Sequence, residues 1–134
     1  MHHNVAPLLG VTVKKQTLYM LFPYVQYTLQ DVLAFRPNRT LRQPAPLPRK
    51  HALPLMMQLV DALAYCHSKG VLHRNVKPKH ILIQMQEEIR DEDAAKEFNL
   101  QGAHLYLSDF ALMRSVSKPR KPLTAEVRIS TILV

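Results

Sequence analysis

The sequence predicts an α+β fold in which several short strands accompany one long helix. The helix is indicated over residues 53–69, where apolar side chains recur at intervals of three and four. The strands are indicated by short apolar runs at residues 18–22, 81–83 and 105–107. With 47% hydrophobic residues among 134, the chain has enough apolar material for one domain with a core.

Two strands are predicted at the beginning of the chain. Residues 5–13 are an apolar stretch that Gly10 interrupts or ends. Residues 18–22 are rich in large apolar and aromatic side chains, and Pro23 stops this second strand because proline lacks the N–H that a sheet requires. The sequence therefore opens with a pair of short strands.

A short helix and a long helix are predicted next, separated by a linker. Thr28 suits the N-cap of a helix over residues 28–34. Residues 35–52 contain four prolines and many basic side chains, which indicates a linker or insertion. Gly70 supplies the left-handed residue that ends the long helix. The side chains predicted to share one face of that helix are Leu53, Met56, Met57, Val60, Leu63, Ala64 and His67.

The stretch between the last two predicted strands is acidic. Residues 85–104 carry six carboxylate side chains between the strands at 81–83 and 105–107. We expect this segment to be a solvated insertion.

Composition and charge exclude several classes of function. The chain lacks an uninterrupted apolar run of about 18 residues, so we expect no membrane span. The single cysteine, Cys66, favours a reducing compartment, and the N-terminus lacks a signal-peptide pattern. The family resemblance given below implies an intracellular location, cytoplasmic or nuclear. The net charge of +8 is concentrated in two proline-rich loops without interleaved aromatic residues, so nucleic-acid binding is not the expected function.

Two polar motifs follow the long helix, and they carry the functional interpretation. Residues 73–80 read HRNVKPKH and residues 109–111 read DFA. They resemble the H-R-D-L-x-x-x-N catalytic loop and the D-F-G turn of eukaryotic protein kinases. In that family the first aspartate accepts the proton of the substrate hydroxyl and the second holds Mg²⁺.

Further segments resemble the same family in the same order along the chain. The activation segment is most similar to those of cyclin-dependent kinases, and the chain has no G-x-G-x-x-G, no strand lysine before Asn4 and no A-P-E. The resemblance implies a truncated, partial protein-kinase-like domain over residues 1–134, with insertions at 35–52 and 85–104. Residues 1–25 would be the end of the small lobe with the hinge, and residues 26–134 the start of the large lobe through the activation segment. The matching segments are residues 4–11, 18–25, 65–74 and 111–124.

The resemblance implies that reactive groups have been replaced. Asn75 stands at the position of the catalytic carboxylate, and an amide cannot take up the substrate proton. Lys77 matches the loop lysine of serine/threonine kinases, which neutralises the transferred phosphate, although an exposed loop lysine is common anywhere. Arg74 matches an arginine that pairs with a phosphorylated activation segment, and Thr124 lies where that phosphate would fall.

The metal position is also altered. Asp109 keeps the family's Mg²⁺ ligand, but His80 replaces the second metal-binding residue, an asparagine, with a nitrogen donor. His80 and Asp109 together suit a softer ion such as zinc, or His80 is an ordinary hydrogen-bonded histidine. Ala111 replaces the glycine of the turn, which reduces its backbone freedom.

The adenine pocket is expected at the hinge. The resemblance implies that Phe22 guards its back, that the Pro23 carbonyl and the Val25 N–H read the base, and that Leu82 forms its floor. Core packing explains Phe22 and Leu82 equally well. ATP and Mg²⁺ are therefore expected to bind weakly or not at all.

Three functions are compatible with the sequence. The first is a catalytically impaired pseudokinase that acts on protein partners as a scaffold or allosteric subunit. The second is an active or conditionally active serine/threonine kinase, because Lys77 and Asp109 remain. The third is a basic adaptor that uses residues 35–50, or a fragment without independent function. Half of a two-lobed fold would expose apolar faces, so we expect poor solubility or association.

Overall fold

The computed structural model describes residues 1–34, 47–86 and 100–116. This part of the chain contains seven strands, two α-helices and one 3-10 helix, in agreement with the predicted α+β class. In chain order the elements are β1 (Gly10–Lys14), β2 (Thr17–Leu21), β3 (Tyr27–Thr28), α1 (Leu29–Ala34), α2 (Arg49–Ser68), β4 (Val71–Leu72), the 3-10 helix (Pro78–His80), β5 (Ile81–Gln84), β6 (His104–Leu107) and β7 (Arg114–Ser115).

Strands β1 and β2 form an antiparallel hairpin that is exposed along almost all of its length. Lys15 and Gln16 form its two-residue turn with φ values of 47° and 63°, the left-handed geometry that matches the twist of a hairpin. The prediction of a strand over residues 5–13 was wrong in its extent, because Gly10 begins the strand instead of ending it. The turn lacks the usual glycine or asparagine, so its sequence gave no hairpin signal.

The residues before the hairpin attach to a different strand. The N–H of Leu107 donates to the carbonyl of Asn4 (2.8 Å), and the N–H of Ala6 donates to the carbonyl of Leu107 (2.9 Å). Val5 thereby makes a parallel bridge with Leu107 at the end of β6. Residues 4–6 therefore pair with the end of β6, at the edge of the central sheet.

The central sheet has the order β3-β5-β6 and is antiparallel. Ile81 and Ile83 of β5, and Leu105 and Leu107 of β6, have no exposed side-chain surface, because alternate residues of both strands face the same side. Helix α2 packs against β6. The buried cluster consists of Leu29, Val32, Leu55, Leu59, Ala62, Cys66, Ile81, Ile83, Leu100, Ala103, Leu105 and Leu107.

Helix α1 begins where the sequence predicted. The Thr28 hydroxyl accepts from the N–H of Asp31 (3.2 Å), and the Asp31 carboxylate accepts from the N–H (2.8 Å) and hydroxyl (2.7 Å) of Thr28. This reciprocal pair satisfies donors at the first turn that have no partner inside the helix. The hydrogen bonds from the Thr28 side chain and backbone lower the pKa of Asp31.

Helix α2 begins earlier than predicted and buries a different face. Residues 49–52, part of the predicted linker 35–52, are already helical, and residues 35–46 lie outside the described part. The helix has two apolar faces, and periodicity alone cannot tell which one meets the sheet. Gly70, with φ 66°, follows the helix end as predicted. The predicted face was wrong for five of its seven residues, because Leu53, Met57, Val60, Ala64 and His67 are exposed whereas Leu55, Leu59, Ala62 and Cys66 are buried. The other two, Met56 and Leu63, are half-buried and pack against the core.

The predicted acidic insertion contributes its last residues to the core. Leu100 and Ala103 are buried, and His104 already belongs to β6. Residues 87–99, with the acidic side chains, lie outside the described residues. None of the helices at residues 1–34, 47–86 and 100–116 is long and apolar enough to cross a bilayer.

Candidate nucleotide and metal site

Strand pairing brings the two polar motifs together. Strand β4 ends immediately before residue 73, and β7 begins shortly after residue 111. The two strands pair antiparallel, with Val71 opposite Ser115 and Leu72 opposite Arg114. The loop at residues 73–80 and the turn at residues 109–111 therefore lie next to each other, as the predicted site requires.

His73 is a buried anchor between the loop and the turn. Its Nε2 donates to the Ser108 carbonyl (2.8 Å), its Nδ1 accepts from the Asn75 N–H (3.2 Å), and its ring meets Phe110 edge-on at 4.6 Å. Burial lowers the pKa of His73, the charge of His80 adds to this effect, and the Ser108 carbonyl and Asp109 oppose it. A neutral ring with its hydrogen on Nε2 satisfies both hydrogen bonds.

His80 connects the loop to the turn through both ring nitrogens. Its Nδ1 lies 2.9 Å from the Asn75 carbonyl oxygen, and its Nε2 lies 2.9 Å from Oδ2 of Asp109. Both partners are acceptors, so each contact is a hydrogen bond when the ring nitrogen that makes it carries a hydrogen. The sequence left two interpretations of His80, a ligand of a softer metal ion or an ordinary hydrogen-bonded histidine. The second interpretation accounts for the contacts of both ring nitrogens.

Asp109 has protein partners on both carboxylate oxygens. His80 contacts Oδ2, and the N–H of Ala111 donates to Oδ1 at 3.3 Å. Asp109 has a φ of 57°, an uncommon conformation for a residue with a side chain. Mg²⁺ prefers six oxygen ligands, so a nitrogen donor and an already paired carboxylate do not fit this ion.

The remaining loop residues are in place, but one predicted partner lies outside the described residues. Arg74 has a φ of 63°, and its Nε donates to the Leu112 carbonyl at 2.8 Å. Asn75 and Lys77 are half-buried beside it. Thr124 belongs to residues 117–134, which the structure does not describe. The predicted pairing of Arg74 with a phosphate at Thr124 therefore stays a prediction.

The predicted hinge lies between β2 and β3. Phe22 is 46% exposed, which does not support the alternative in which it packs in the core, and Pro23 and Val25 are half-buried. Leu82, also half-buried, pairs with Thr28 of β3. Leu82, the predicted floor of the adenine pocket, therefore lies on β5. This strand pairs with β3, which directly follows the predicted hinge.

Sequence reasoning missed a buried amide network at the other end of the sheet. The Asn4 Nδ2 donates to Oε1 of Gln58 and to the carbonyl of Leu105, both at 2.9 Å. Gln58 also donates to the Ala103 carbonyl (3.0 Å) and accepts from the Leu105 N–H (2.8 Å). The network joins the chain start, α2 and β6. Its signals in the sequence are Asn4, next to the apolar residues that begin at Val5, and Gln58 among the apolar residues of α2.

A cavity of about 770 Å³ lies beside this network. Among the described residues, its lining includes Asn4, Gln58, Lys50 and His104 but none of the predicted site residues. The predicted nucleotide site therefore does not coincide with it.

A second histidine cluster lies near the chain start. Nε2 of His2 and of His3 are 3.2 Å and 3.8 Å from Oδ2 of Asp61. The Nδ1 of His2 accepts from the Asn4 N–H at 3.2 Å, so a neutral ring carries its hydrogen on the Nε2 that faces Asp61. The contact between His2 and Asp61 is thereby explained as a hydrogen bond, and a metal at this cluster would need the lone pair of that same His2 nitrogen.

Comparison with known proteins agrees with the motif resemblance. The model of the protein kinase domain family matches residues 1–131, so the chain belongs to this family. It is 28% identical over 127 residues to cyclin-dependent kinase 2 of Caenorhabditis elegans, covering 94% of the chain and 29% of that protein. It is 27% identical over 123 residues to human cyclin-dependent kinase-like 2, covering 92% of the chain and 20% of that protein.

Two other relatives extend the comparison. CBL-interacting protein kinase 21 of Oryza sativa subsp. japonica is 36% identical over 93 residues, which cover 69% of the chain and 16% of that protein. In the crystal structure of the yeast RNA Pol II CTD kinase CTDK-1 complex, one chain matches with a TM-score of 0.62 and 25% identity, over 88% of this chain and 32% of that one. The predicted kinase-like fold is thereby confirmed, and the chain spans less than a third of the length of these relatives.

Proposed function

We propose that this kinase-family chain is catalytically impaired and acts on protein partners as a scaffold or allosteric subunit. The observation that carries the proposal is Asn75, an amide at the position where the family has its proton acceptor. General-base catalysis contributes typically about 10²–10⁴-fold, so the loss of this group lowers phosphoryl transfer steeply. His73 and Phe110 hold the loop and the turn together, through their ring contact and the hydrogen bond from His73 to Ser108, although the proton acceptor is replaced.

Adenine nucleotide binding is a separate part of the proposal. The hinge retains the Pro23 carbonyl and the Val25 N–H, and Leu82 lies on the neighbouring strand. A proline keeps its carbonyl oxygen, so Pro23 still offers the acceptor that reads the base. We therefore expect ATP to bind weakly through its adenine ring, with little contribution from Mg²⁺.

A conditionally active serine/threonine kinase is the second candidate. Lys77 remains in the loop, and phosphoryl transfer depends mostly on positioning and charge stabilisation. The relatives are named as kinases, and one matching chain belongs to a kinase complex. This candidate requires that a further polypeptide segment or subunit completes the site.

Partners and compartment follow from the same resemblance. Relatives named cyclin-dependent kinases, together with a match inside a kinase complex, favour a protein partner of the cyclin kind. The single cysteine, Cys66, is buried in the core, which suits the reducing conditions of cytoplasm or nucleus.

The experiment that tests the proposal is phosphoryl transfer from radiolabelled ATP to a mixed peptide library. We expect the wild type to match its Asp109→Asn variant, because both lack a functional proton acceptor and metal site. Sustained wild-type labelling that disappears in Asp109→Asn would refute the scaffold proposal and favour the kinase. A thermal-shift titration with ATP tests nucleotide binding independently of transfer.

A further inference from the structure

The environment of His80 explains why this site differs from a metal site. The His80 side chain is only 10% exposed, and its Nε2 contacts a carboxylate oxygen that is the family's metal ligand. An ion bound to that oxygen would have to displace the imidazole from a distance of 2.9 Å. Magnesium–oxygen distances are about 2.0–2.1 Å, so the ring and the ion cannot share the position.

The ring is also held from its other side. The Nδ1 of His80 lies 2.9 Å from the Asn75 carbonyl, so a ring that left Asp109 would break or strain this contact as well. The N–H and the hydroxyl of Ser108 both donate to the His80 carbonyl at 2.9 Å, which fixes its backbone beside the turn. Displacing the imidazole would separate the largely buried His80 ring from both of its acceptors, which is unfavourable.

We propose that the His80 side chain takes the place of the metal ion in this fold, so that Asp109 pairs with an imidazole and binds no Mg²⁺. The pair links the loop to the turn, as a bridging ion would, but it needs no cofactor. The proposal concerns the same site as the proposed function and deepens it. It predicts that any adenine nucleotide binds independently of divalent metal.

The test uses Mn²⁺ alone as a paramagnetic probe on the 134-residue chain. Mn²⁺ prefers oxygen ligands as Mg²⁺ does, and it broadens the NMR signals of nearby amides even when it binds weakly. The wild type is compared with His80→Asn, which restores the family residue, and with His80→Asn/Asp109→Asn. His67→Asn, the same substitution at an exposed histidine of α2, is the matched control.

Asp109→Asn alone is the reference for the wild type, because it lacks the carboxylate. At millimolar Mn²⁺, we expect the wild type to show no more broadening at residues 108–112 than this variant. His80→Asn should show broadening there that the second substitution removes, and His67→Asn should behave as the wild type. Broadening in the wild type that requires Asp109 would overturn the proposal. A folded His80→Asn variant without broadening would also overturn it, and His80→Gln replaces this variant if it does not fold.

A nucleotide measurement separates this proposal from the proposed function. We expect the wild-type Kd for ATP to differ less than about twofold with and without Mg²⁺, whereas His80→Asn should bind ATP more tightly when Mg²⁺ is present. A wild-type affinity that rises with Mg²⁺ would contradict the proposal. If ATP does not bind under either condition, nucleotide binding in the proposed function fails, and the Mn²⁺ measurement still decides on the metal.

Discussion

Two histidines of one loop are held in opposite hydrogen-bonding states. His73 faces one acceptor and one donor, so a neutral ring fits, whereas His80 faces two acceptors. Motif spacing identified both positions, because each stands at a fixed place in the family pattern. The contact between His80 and Asp109 could not be predicted, since it depends on how strand pairing brings the loop and the turn together.

The neutral state of His73 predicts a pH dependence of stability. Burial holds the pKa of His73 below the ordinary value of 6.5. Between these two pKa values the ring is protonated in the unfolded chain but neutral in the folded chain, so acid favours unfolding. Stability should therefore be fully present above about pH 6.5 and fall as the pH drops through that value. The free energy of unfolding, measured by urea denaturation between pH 5 and pH 8, checks this.

A substitution isolates the contribution of His73 from that of the other histidines. His73→Gln should be less stable at pH 8 but should show a shallower loss of stability towards pH 5. His67→Gln, at an exposed histidine, provides the control and should keep the wild-type slope. An unchanged slope in His73→Gln would show that burial of this ring is not the cause.

At the scale of the element, local chemistry was predicted better than packing direction. The Thr28 cap and the Gly70 stop are short-range signals, and both were confirmed. The face of α2 was predicted wrongly, because both sides of this helix carry large apolar residues. Which side is buried depends on β6, a strand far away in the sequence, and this information is not local.

The cap of α1 predicts a measurable loss of stability. Thr28→Ala removes the hydroxyl that pairs with Asp31 and should cost about 1 kcal/mol in the free energy of unfolding. Thr28→Ser keeps the hydroxyl and should recover most of this loss. Urea denaturation at pH 7 compares the variants, and equal stability of Thr28→Ala and the wild type would show that the cap contributes nothing.

At the scale of the whole molecule, the described residues leave large apolar surfaces open. Leu53, Met57 and Val60 of α2 are each more than half exposed, as is much of the β1–β2 hairpin. Large exposed apolar patches mark association surfaces or aggregation sites. The sequence predicted such exposure from the family resemblance, and it supplied the fold class, but it did not indicate which face would remain open.

This surface predicts concentration-dependent association. Met57→Lys/Val60→Lys should shift the chain towards monomers in sedimentation velocity, because it replaces exposed apolar side chains with charged ones. The free energy of unfolding should change by no more than about 0.5 kcal/mol, as at other surface positions. The matched control carries the same lysines at the exposed polar residues Thr12 and Gln30. Equal association of both double variants would exclude the α2 face as its cause.

The edge contact made by Asn4 and Ala6 matters for anyone who shortens this polypeptide. Expression variants that start at Gly10 would lack Asn4 and Ala6. They would therefore lose the two backbone hydrogen bonds that these residues make with Leu107 at the edge of the sheet. They would also leave Gln58 without the asparagine it accepts from. Since Asp109 follows that strand by two positions, trimming at the front should loosen the turn, and protease sensitivity there would reveal it.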